Sequence, residues 1–322
     1  MIFRAYKALI NKYISIYKVI ILILFVLFTP YSYAQVDSSY IGFFKQKMSI
    51  RPYLIEQFTA LSHESEQEGE ITYKPNSPYG IGLGVTYKNV SFSSSYGFDF
   101  MRDKKKGLTK SMDLQYHRYG RKIVFDLFFQ NYKGLFTETD HKNGIYTQYP
   151  DVHLIQYGIF TQYIFNGNRF SYRAAFDQDE IQLKSTGSFL LGGGVYYNKA
   201  KSDSSLVFVN ERQLNNFQFG VSAGYAYTWV INKRVFISGS LAIGINIGAE
   251  SIDRFGKERL EVYPTIFPRF SAGYNHDNWS LGLYVLNNRV YVSYSGVSKL
   301  SFDTGAFQIT YVKRFDKLPF GL

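Results

Sequence analysis

Large apolar residues and small polar residues alternate strictly along residues 235–248, VFISGSLAIGINIG. The odd positions are Val, Ile or Leu apart from Gly239, and the even positions after Phe236 are Ser, Ala, Gly or Asn. Alternation with a period of two predicts a β-strand with one apolar face. A soluble sandwich would carry charges on its outer face, but the polar face here is uncharged. The pattern therefore predicts a strand whose large residues meet lipid and whose small residues line a crowded lumen.

The same alternation recurs along the chain, and most of the predicted strands are joined in pairs by tight turns. The first predicted strand covers 49–61 and the last covers 304–315. The segments predicted as hairpins are 80–87 with 90–100, 112–119 with 122–132, 154–165 with 170–176, 217–230 with 235–248, and 262–274 with 279–287. A further strand is predicted at 188–198. This all-β pattern predicts a transmembrane antiparallel up-and-down β-barrel of about 12 strands over residues 49–315.

Short turns alternate with longer polar segments, which are 62–78, 101–109, 136–151, 199–214 and 249–259. Outer-membrane barrels have short periplasmic turns and longer external loops, so both termini are predicted to be periplasmic. The segment 177–187 leaves two alternatives open. It adds an inward strand, which gives about 14 strands, or it interrupts one outward strand, which gives about 12. The few residues before the first strand leave no room for a separate plug domain.

Residues 1–34 have the pattern of a cleaved signal peptide. Basic residues precede an apolar run at 19–28, and small residues at 32–34 provide a cleavage site. The apolar run is too short for a transmembrane helix, which needs about 20 residues. We expect cleavage before Gln35, a short periplasmic segment at 35–48, a tail at 316–322, and localisation in the outer membrane of a Gram-negative cell.

Composition excludes several classes of function. The chain has 36 Lys and Arg against 25 Asp and Glu, and four of the basic residues belong to the leader. The remaining excess of 32 − 25 = 7 is spread along the chain, which argues against nucleic-acid binding. Cysteine is absent, so thiolate chemistry is excluded. Aromatic residues near strand ends are predicted to form an interfacial girdle, and these are Tyr87, Tyr119, Tyr163, Tyr227, Trp229, Tyr274 and Trp279.

Several short blocks carry a resemblance to a known family. They are DSSYI at 37–41 followed by Lys45, Lys47 and Arg51, YKPN at 73–76, QNYKG at 130–134, and YIFN at 163–166 with FSYRAAF at 170–176, Gln178, Glu180, Gln182 and Lys184. With these blocks the chain resembles the Bacteroidetes outer-membrane barrels of domain of unknown function 4421. The resemblance implies secretion and a barrel, and it supplies no reaction or catalytic residue.

Charged and polar residues at positions predicted to face the lumen form the candidate site. They are Asp99, Asp113, His117, Asp126, Arg173, Asp177, Glu180, Gln182, Lys184 and Arg269. One interpretation is an internal network of ion pairs and hydrogen bonds that braces the barrel. The other is a constriction that selects solutes by charge. Because the set contains both signs of charge, the sequence favours the internal network.

No pattern in the chain indicates catalysis. Outer-membrane lipid hydrolases and acyltransferases use a His with a Ser at the membrane boundary. The one His-x-Ser motif, at His63 and Ser65, falls in a predicted loop, and no two histidines have metal-ligand spacing. The glycine-rich segments lack the helix and the Gly-Lys-Ser/Thr signature of a phosphate loop. We therefore expect no enzymatic activity, no cofactor and no metal site.

Two functions fit the predicted barrel. The first is a narrow channel or transporter for a small solute or lipid, and the alternative is a non-conducting structural or interaction barrel that displays loops or docks a partner. A membrane-embedded lipid-modifying enzyme ranks third. Large residues on the predicted lumen face argue against a general porin, and these are Phe128, Tyr132, Phe160, Tyr196, Tyr263, Phe267 and Tyr284. The expected partners are outer-membrane lipid and lipopolysaccharide, the barrel-assembly machinery and a small solute.

Overall fold

The computed structural model describes residues 36–46, 48–65, 69–77, 79–87, 90–140, 144–203, 206, 212–249, 261–294 and 297–316. The predicted signal peptide lies outside the described residues. Within the described part of the chain, no helix has the length and apolar character needed to cross a membrane.

The described strands, in chain order, are β1 Ile41–Phe43, β2 Met48–Ser65, β3 Gly69–Pro75, β4 Gly80–Tyr87, β5 Val90–Gly97, β6 Lys110–Tyr119, β7 Ile123–Asp140, β8 Ile145–Ile164, β9 Glu180–Gln182, β10 Thr186–Lys201, β11 Gln213–Val230, β12 Val235–Ala249, β13 Glu261–Asn275, β14 Trp279–Tyr294 and β15 Val297–Phe315. Short 3₁₀ turns cover Asp99–Met101 and Lys104–Lys106, and one π-helical turn covers Arg173–Asp177.

Ten of these strands close an antiparallel barrel, in the order β2, β15, β14, β13, β12, β11, β10, β8, β7 and β3. The long ladder between β15 and β2 closes the ring, and a short ladder at Lys74 and Pro75 joins β3 to β7. Near the short turns the β4–β5 hairpin pairs with β2, and β6 pairs with β7. The predicted transmembrane antiparallel barrel is therefore confirmed.

The two faces of the wall are those that the alternation predicted. In β12, Leu241, Ile243 and Ile245 face outward and are exposed, whereas Ala242 and Asn246 face inward and are buried. The outer surface is thus an apolar belt suited to hydrocarbon, and the lumen carries the small and polar side chains.

Buried side chains fill the lumen in three clusters. The short-turn cluster, around Phe170, Tyr172 and Phe176, lies where the short turns connect the strands. The middle cluster contains Phe128, Phe160, Tyr196, Ala242, Phe267 and Val290. The long-loop cluster, at the opposite end, includes Tyr73, Tyr132, Leu154, Leu214, Leu300 and Phe302. The seven large residues predicted to face the lumen are all buried.

One predicted hairpin is wrong. Residues 170–176 do not form a strand, and β8 instead pairs directly with β10. Residues 165–185, here called the plug segment, fold into the barrel mouth, where Phe170, Tyr172 and Phe176 are buried. Burial of these aromatic rings against the inner wall outweighs the local alternation that suggested a strand. The segment is therefore neither an extra wall strand nor an interruption of an outward one.

Two smaller expectations also need correction. The predicted loop at 62–78 contains strand β3, which extends the wall on the long-loop side. Tyr119 does not belong to an outer aromatic girdle, because its side chain faces inward and stacks on Tyr172 at a ring-centre distance of 5.9 Å. Tyr87 and Trp229 are exposed on the outer face, as the girdle requires.

Candidate functional site

The plug segment is tied to the N-terminal part of the chain. Strand β9 pairs with β1, so that Ile41 lies opposite Gln182. The Gln182 side-chain amide donates to the carbonyl oxygens of Tyr40 at 3.0 Å and Arg169 at 2.7 Å. Its side-chain oxygen accepts a hydrogen bond from the Ser171 backbone N–H at 3.0 Å. The plug is therefore built from an internal segment and residues before the first wall strand, and it needs no separate domain.

Ion pairs hold the plug segment to the barrel wall. Arg121, in the turn after β6, lies 2.6 Å from Glu180, which is almost fully buried. Arg51 on β2 lies 3.7 Å from Asp177 and 3.4 Å from Asp179. Within the plug segment, Arg173 lies 3.5 Å from Asp179 and 3.4 Å from Glu180. Because these charges are partly or wholly buried, removing one partner should cost more than breaking a surface pair.

A second set of contacts fixes the end of the π-helical turn. Gln178 has a φ of 51°, a left-handed conformation that is uncommon outside glycine. Its side-chain nitrogen donates to Asn275 at 3.2 Å and to the Leu281 carbonyl at 3.0 Å. Its side-chain oxygen accepts from the Tyr284 hydroxyl at 2.9 Å, and its backbone carbonyl accepts from Arg314. These four contacts hold a strained backbone position in place.

Two carboxyl groups of this region have shifted pKa values. Burial raises the pKa of Asp177 to about 6, although the charge of Arg51 opposes the shift and that of Asp179 adds to it. Hydrogen bonds from the side chain and backbone of Ser39 lower the pKa of Asp37, with a smaller contribution from Arg169. The pKa of the Asp177 carboxyl is thus shifted toward neutral pH.

A separate polar network lies in the middle of the lumen. Arg269 on β13 contacts Asp126 on β7 across the barrel, and both side chains are almost completely buried. The Nδ1 atom of His117 lies 2.7 Å from the other Asp126 carboxylate oxygen, and its Nε2 atom lies 3.1 Å from Gln115. This row of side chains therefore links wall strands that are not neighbours in the sheet.

Asp113 extends this network along β6. Its carboxylate accepts hydrogen bonds from the Tyr132 hydroxyl at 2.6 Å, from Gln130 at 2.9 Å and from Gln115 at 2.9 Å. All three donors are uncharged groups. The negative charge of Asp113 is therefore solvated by hydrogen bonds and has no cationic hydrogen-bond partner among the described contacts.

The structure divides the predicted site residues into two groups. The plug contacts contain Arg173, Asp177, Glu180 and Gln182, and the middle network contains Asp113, His117, Asp126 and Arg269. Two predicted residues lie apart from both groups. Lys184 is exposed and places its ammonium group 5.2 Å from the centre of the Tyr40 ring. Asp99 lies in a 3₁₀ turn after β5, and its side chain is outside the described part of the structure.

Sequence reasoning missed several of the basic residues that anchor the plug segment. Arg51 lies on β2 and Arg314 lies on β15. Each faces inward, as does the buried residue two positions away on the same strand, Tyr53 or Val312. The sequence did offer a signal for these two arginines, because each is a charged residue at a position that the alternation predicts to face the lumen. Arg121 lies in a turn and carried no such signal, because only the fold brings it to Glu180.

A polar cavity of about 620 Å³ opens at the long-loop end of the barrel. Its lining includes Glu64, Glu70 and Arg289, and Tyr263 and Tyr291 add aromatic surface. Arg289 binds the buried carboxylate of Asp303 through two contacts, at 2.6 Å and 3.1 Å, and also lies 3.1 Å from Glu70. Among the described lining residues of this vestibule, two carboxylates, Glu64 and Glu70, stand beside one arginine, and Arg289 is shared between Glu70 and the buried Asp303. Among the described residues, no group of three His, Cys, Asp or Glu is placed to hold a metal ion.

Solved outer-membrane proteins match most of the chain at low identity. OmpT, an outer membrane protein of Vibrio cholerae, is 8% identical, with 84% of this chain and 98% of that chain covered and a TM-score of 0.28. The Pseudomonas putida toluene transporter TodX is 9% identical, with 84% and 91% covered and a TM-score of 0.30. Ail of Yersinia pestis is 13% identical, with 83% and 97% covered and a TM-score of 0.20. At these scores we assign no activity or ligand by similarity.

The expectation that the protein is not an enzyme is corrected here, because the comparisons do not support it. OmpT is among the matched structures, and similarity this low neither assigns an activity nor supports excluding one. A search of curated proteins finds no match. The sequence model of a family described as Domain of unknown function (DUF4421) matches residues 35–315. The matched region takes in all the described barrel strands together with the plug segment, and the chain therefore belongs to the DUF4421 family.

Proposed function

We propose that the protein is a non-conducting outer-membrane barrel that acts by binding at its ends, and not by passing solutes through its lumen. The observation that carries this proposal is the contact of Phe160 and Phe267 across the lumen, with ring centres 4.4 Å apart. These residues come from β8 and β13, which have three other strands between them in the barrel. Together with the other buried side chains of the middle cluster, this ring pair takes up the space at the centre of the lumen, which supports a barrel without a water-filled path.

Displacement of the plug segment alone would not open the lumen. The middle cluster consists of side chains carried by wall strands, including Phe128, Tyr196 and Phe267, so it stays in the lumen when the plug segment moves. The Arg269–Asp126 pair crosses the barrel beside the ring of Phe160. A gated channel through the lumen would therefore need the packed side chains of the middle cluster to rearrange as well as the plug segment, which argues against the narrow passage that the sequence placed first.

The vestibule is the part of the barrel best suited to contact a soluble partner. Its glutamates and tyrosines favour a cationic ligand, because carboxylates pair with ammonium groups and aromatic faces attract cations. A tri-lysine peptide is a simple probe. We expect measurable binding by the wild-type barrel in detergent, at least tenfold weaker binding after Glu64→Gln with Glu70→Gln, and no change for Asp277→Asn in a short turn.

The proposed localisation is the outer membrane, with the long-loop end outside and the short turns in the periplasm. Its support is the apolar outer belt and the difference in length between the connections at the two ends. Export by a leader cleaved before Gln35, a Gram-negative host among the Bacteroidetes, contact with lipopolysaccharide and folding by the barrel-assembly machinery remain predictions from the sequence.

Liposome swelling tests the proposal. Proteoliposomes that contain the folded barrel should not admit small sugars faster than protein-free liposomes. A Phe160→Ala, Phe267→Ala variant serves as the comparison, because it removes the aromatic bridge while the plug segment remains. Swelling by the wild-type protein at a porin-like rate would refute the proposal and restore the channel interpretation.

A further inference from the structure

The barrel wall is interrupted between β5 and β6. Among the described residues, β5 pairs only with β4, and β6 pairs only with β7. The two strands follow one another in sequence, yet no ladder joins their facing edges. Backbone N–H and C=O groups along both edges therefore have no strand partner within the described part of the chain.

The interruption has defined borders. On the long-loop side β3 pairs directly with β7, so the wall is complete there. The connector between β5 and β6 is held on that side, because the Asn76 side chain donates to the carbonyls of Asp103 at 2.7 Å and Gly107 at 2.5 Å. Thr109 donates to the Gly134 carbonyl at 2.6 Å. The result is an opening in the side of the barrel, which the connector closes on the long-loop side and which β5 and β6 flank.

The opening lies within the apolar belt of the barrel. The outward residues of β6, including Met112 and Leu114, are exposed, and so is Tyr96 on β5. Unpaired strand edges are not tolerated against hydrocarbon, because lipid offers no hydrogen-bond partner to the exposed backbone N–H and C=O groups. The edges must therefore face polar matter, supplied by water or by a polar group that enters the opening.

Inward side chains of β5 and β6, beside the opening, are accessible to solvent, whereas inward side chains of the next strand, β7, are buried. Ser93 and Ser95 on β5 are exposed, and 29% of the His117 side-chain surface on β6 is accessible. On the next strand, Asp126 and Gln130 face the same way and are almost fully buried. Along these three strands, the accessible inward side chains are therefore those beside the interruption in the wall, and they are polar.

We propose that the opening is a lateral binding site for the ammonium headgroup of an amine-bearing phospholipid, with its acyl chains lying on the outer belt. Asp113 supplies the negative charge, because its hydrogen-bond partners are all neutral. The nearby Asp126 carboxylate is already neutralised by Arg269. A primary ammonium group has three N–H donors, which suit the Asp113 carboxylate and the free carbonyl groups of the strand edges. The unpaired N–H groups of the same edges can donate to the lipid phosphate.

The opening itself can be tested with engineered cysteines, since the chain contains no natural cysteine. A disulfide requires Cβ atoms about 4 Å apart. The pair Ser93→Cys and Gln115→Cys should not form a disulfide across the opening under mild oxidation. The control pair Leu83→Cys and Ser94→Cys, on directly opposed residues of β4 and β5, should form one. Efficient disulfide formation between positions 93 and 115 would show a closed wall and overturn the proposal.

Native mass spectrometry tests the ligand, with the barrel exchanged from nanodiscs of phosphatidylethanolamine or phosphatidylcholine. We expect retained phosphatidylethanolamine but not phosphatidylcholine, whose methylated amine has no N–H donor. Asp113→Asn should lower retention about tenfold, equivalent to about 1.4 kcal/mol. Ser95→Trp, which fills the opening without changing the polar network, should do the same, and Asp277→Asn should not. Equal retention of both lipids, or an extended peptide bound along the edges instead, would overturn the proposal.

Discussion

The buried Arg269–Asp126 pair allows the sharpest test of the middle network. Arg269→Met keeps much of the side-chain volume but leaves the Asp126 carboxylate charged inside the barrel. Only 3% of the Arg269 side chain and 1% of the Asp126 side chain is exposed, so water cannot replace the lost partner. Removing one member of a buried ion pair typically costs about 3–5 kcal/mol. We expect a value near the lower end, because His117 still contacts Asp126 at 2.7 Å.

The assay is equilibrium unfolding in urea from phospholipid vesicles, followed by the fluorescence of Trp229 and Trp279. Adding Asp126→Asn to Arg269→Met removes the stranded charge, so the double variant should recover most of the lost free energy of unfolding. Arg234→Met, in a short turn, is the control and should change stability by less than about 0.5 kcal/mol. A double variant no more stable than Arg269→Met would refute the reasoning, because the loss would then come from packing and not from charge.

Two further results are expected from the same unfolding assay. Gly158→Ala should destabilise the barrel by about 1–3 kcal/mol, because its new methyl group would lie 2.0 Å from the Phe128 ring. Gly239→Ala is the matched control. Its methyl group would have no contacting atom within 4 Å, so this variant should be neutral or slightly stabilising. Because the pKa of Asp177 is raised in the folded state, its contribution to stability should fall as the pH rises from about 4 to 6 and stay constant above that, and Asp177→Asn should remove this dependence. Equal effects of the two glycine variants, or an unchanged pH profile after Asp177→Asn, would contradict these expectations.

The wall could be predicted from the sequence because each of its strands carries the same local signal. In β12 the residue that meets lipid and the residue that meets the lumen are neighbours in the chain, as Ile243 and Ala242 illustrate. The side of the wall on which a residue lies therefore depends only on its position in the alternation. For the same reason the inward position of Phe160 and Phe267 was predictable, although their direct contact was not.

The plug segment could not be predicted in this way. Residues 170–176 alternate as a strand would, but the π-helical turn buries Ala174, Ala175 and Phe176 in succession. That outcome depends on the space left inside the barrel mouth, which local alternation does not describe. Arg121 and Arg51 meet the plug carboxylates only once the barrel is closed. Pairings between distant segments were therefore beyond the reach of a period-two argument.

The opening between β5 and β6 could not be predicted from the sequence for a related reason. Both strands show the expected alternation, and the sequence treats each as one member of a hairpin. Alternation specifies which face of a strand is apolar, but it does not specify which edges form hydrogen bonds. The short ladder that joins β3 to β7, on the long-loop side of β5 and β6, could not be predicted from the alternation either.

Single-channel recording in planar lipid bilayers tests the central claim most directly. Under the proposed function, side chains of the wall strands close the lumen, so the wild-type barrel should insert without conductance steps. A variant in which a short Gly-Ser linker replaces the plug segment should also stay silent, because the Phe160–Phe267 bridge remains in place. Stable conductance steps from either protein would contradict the account of a barrel closed along its length.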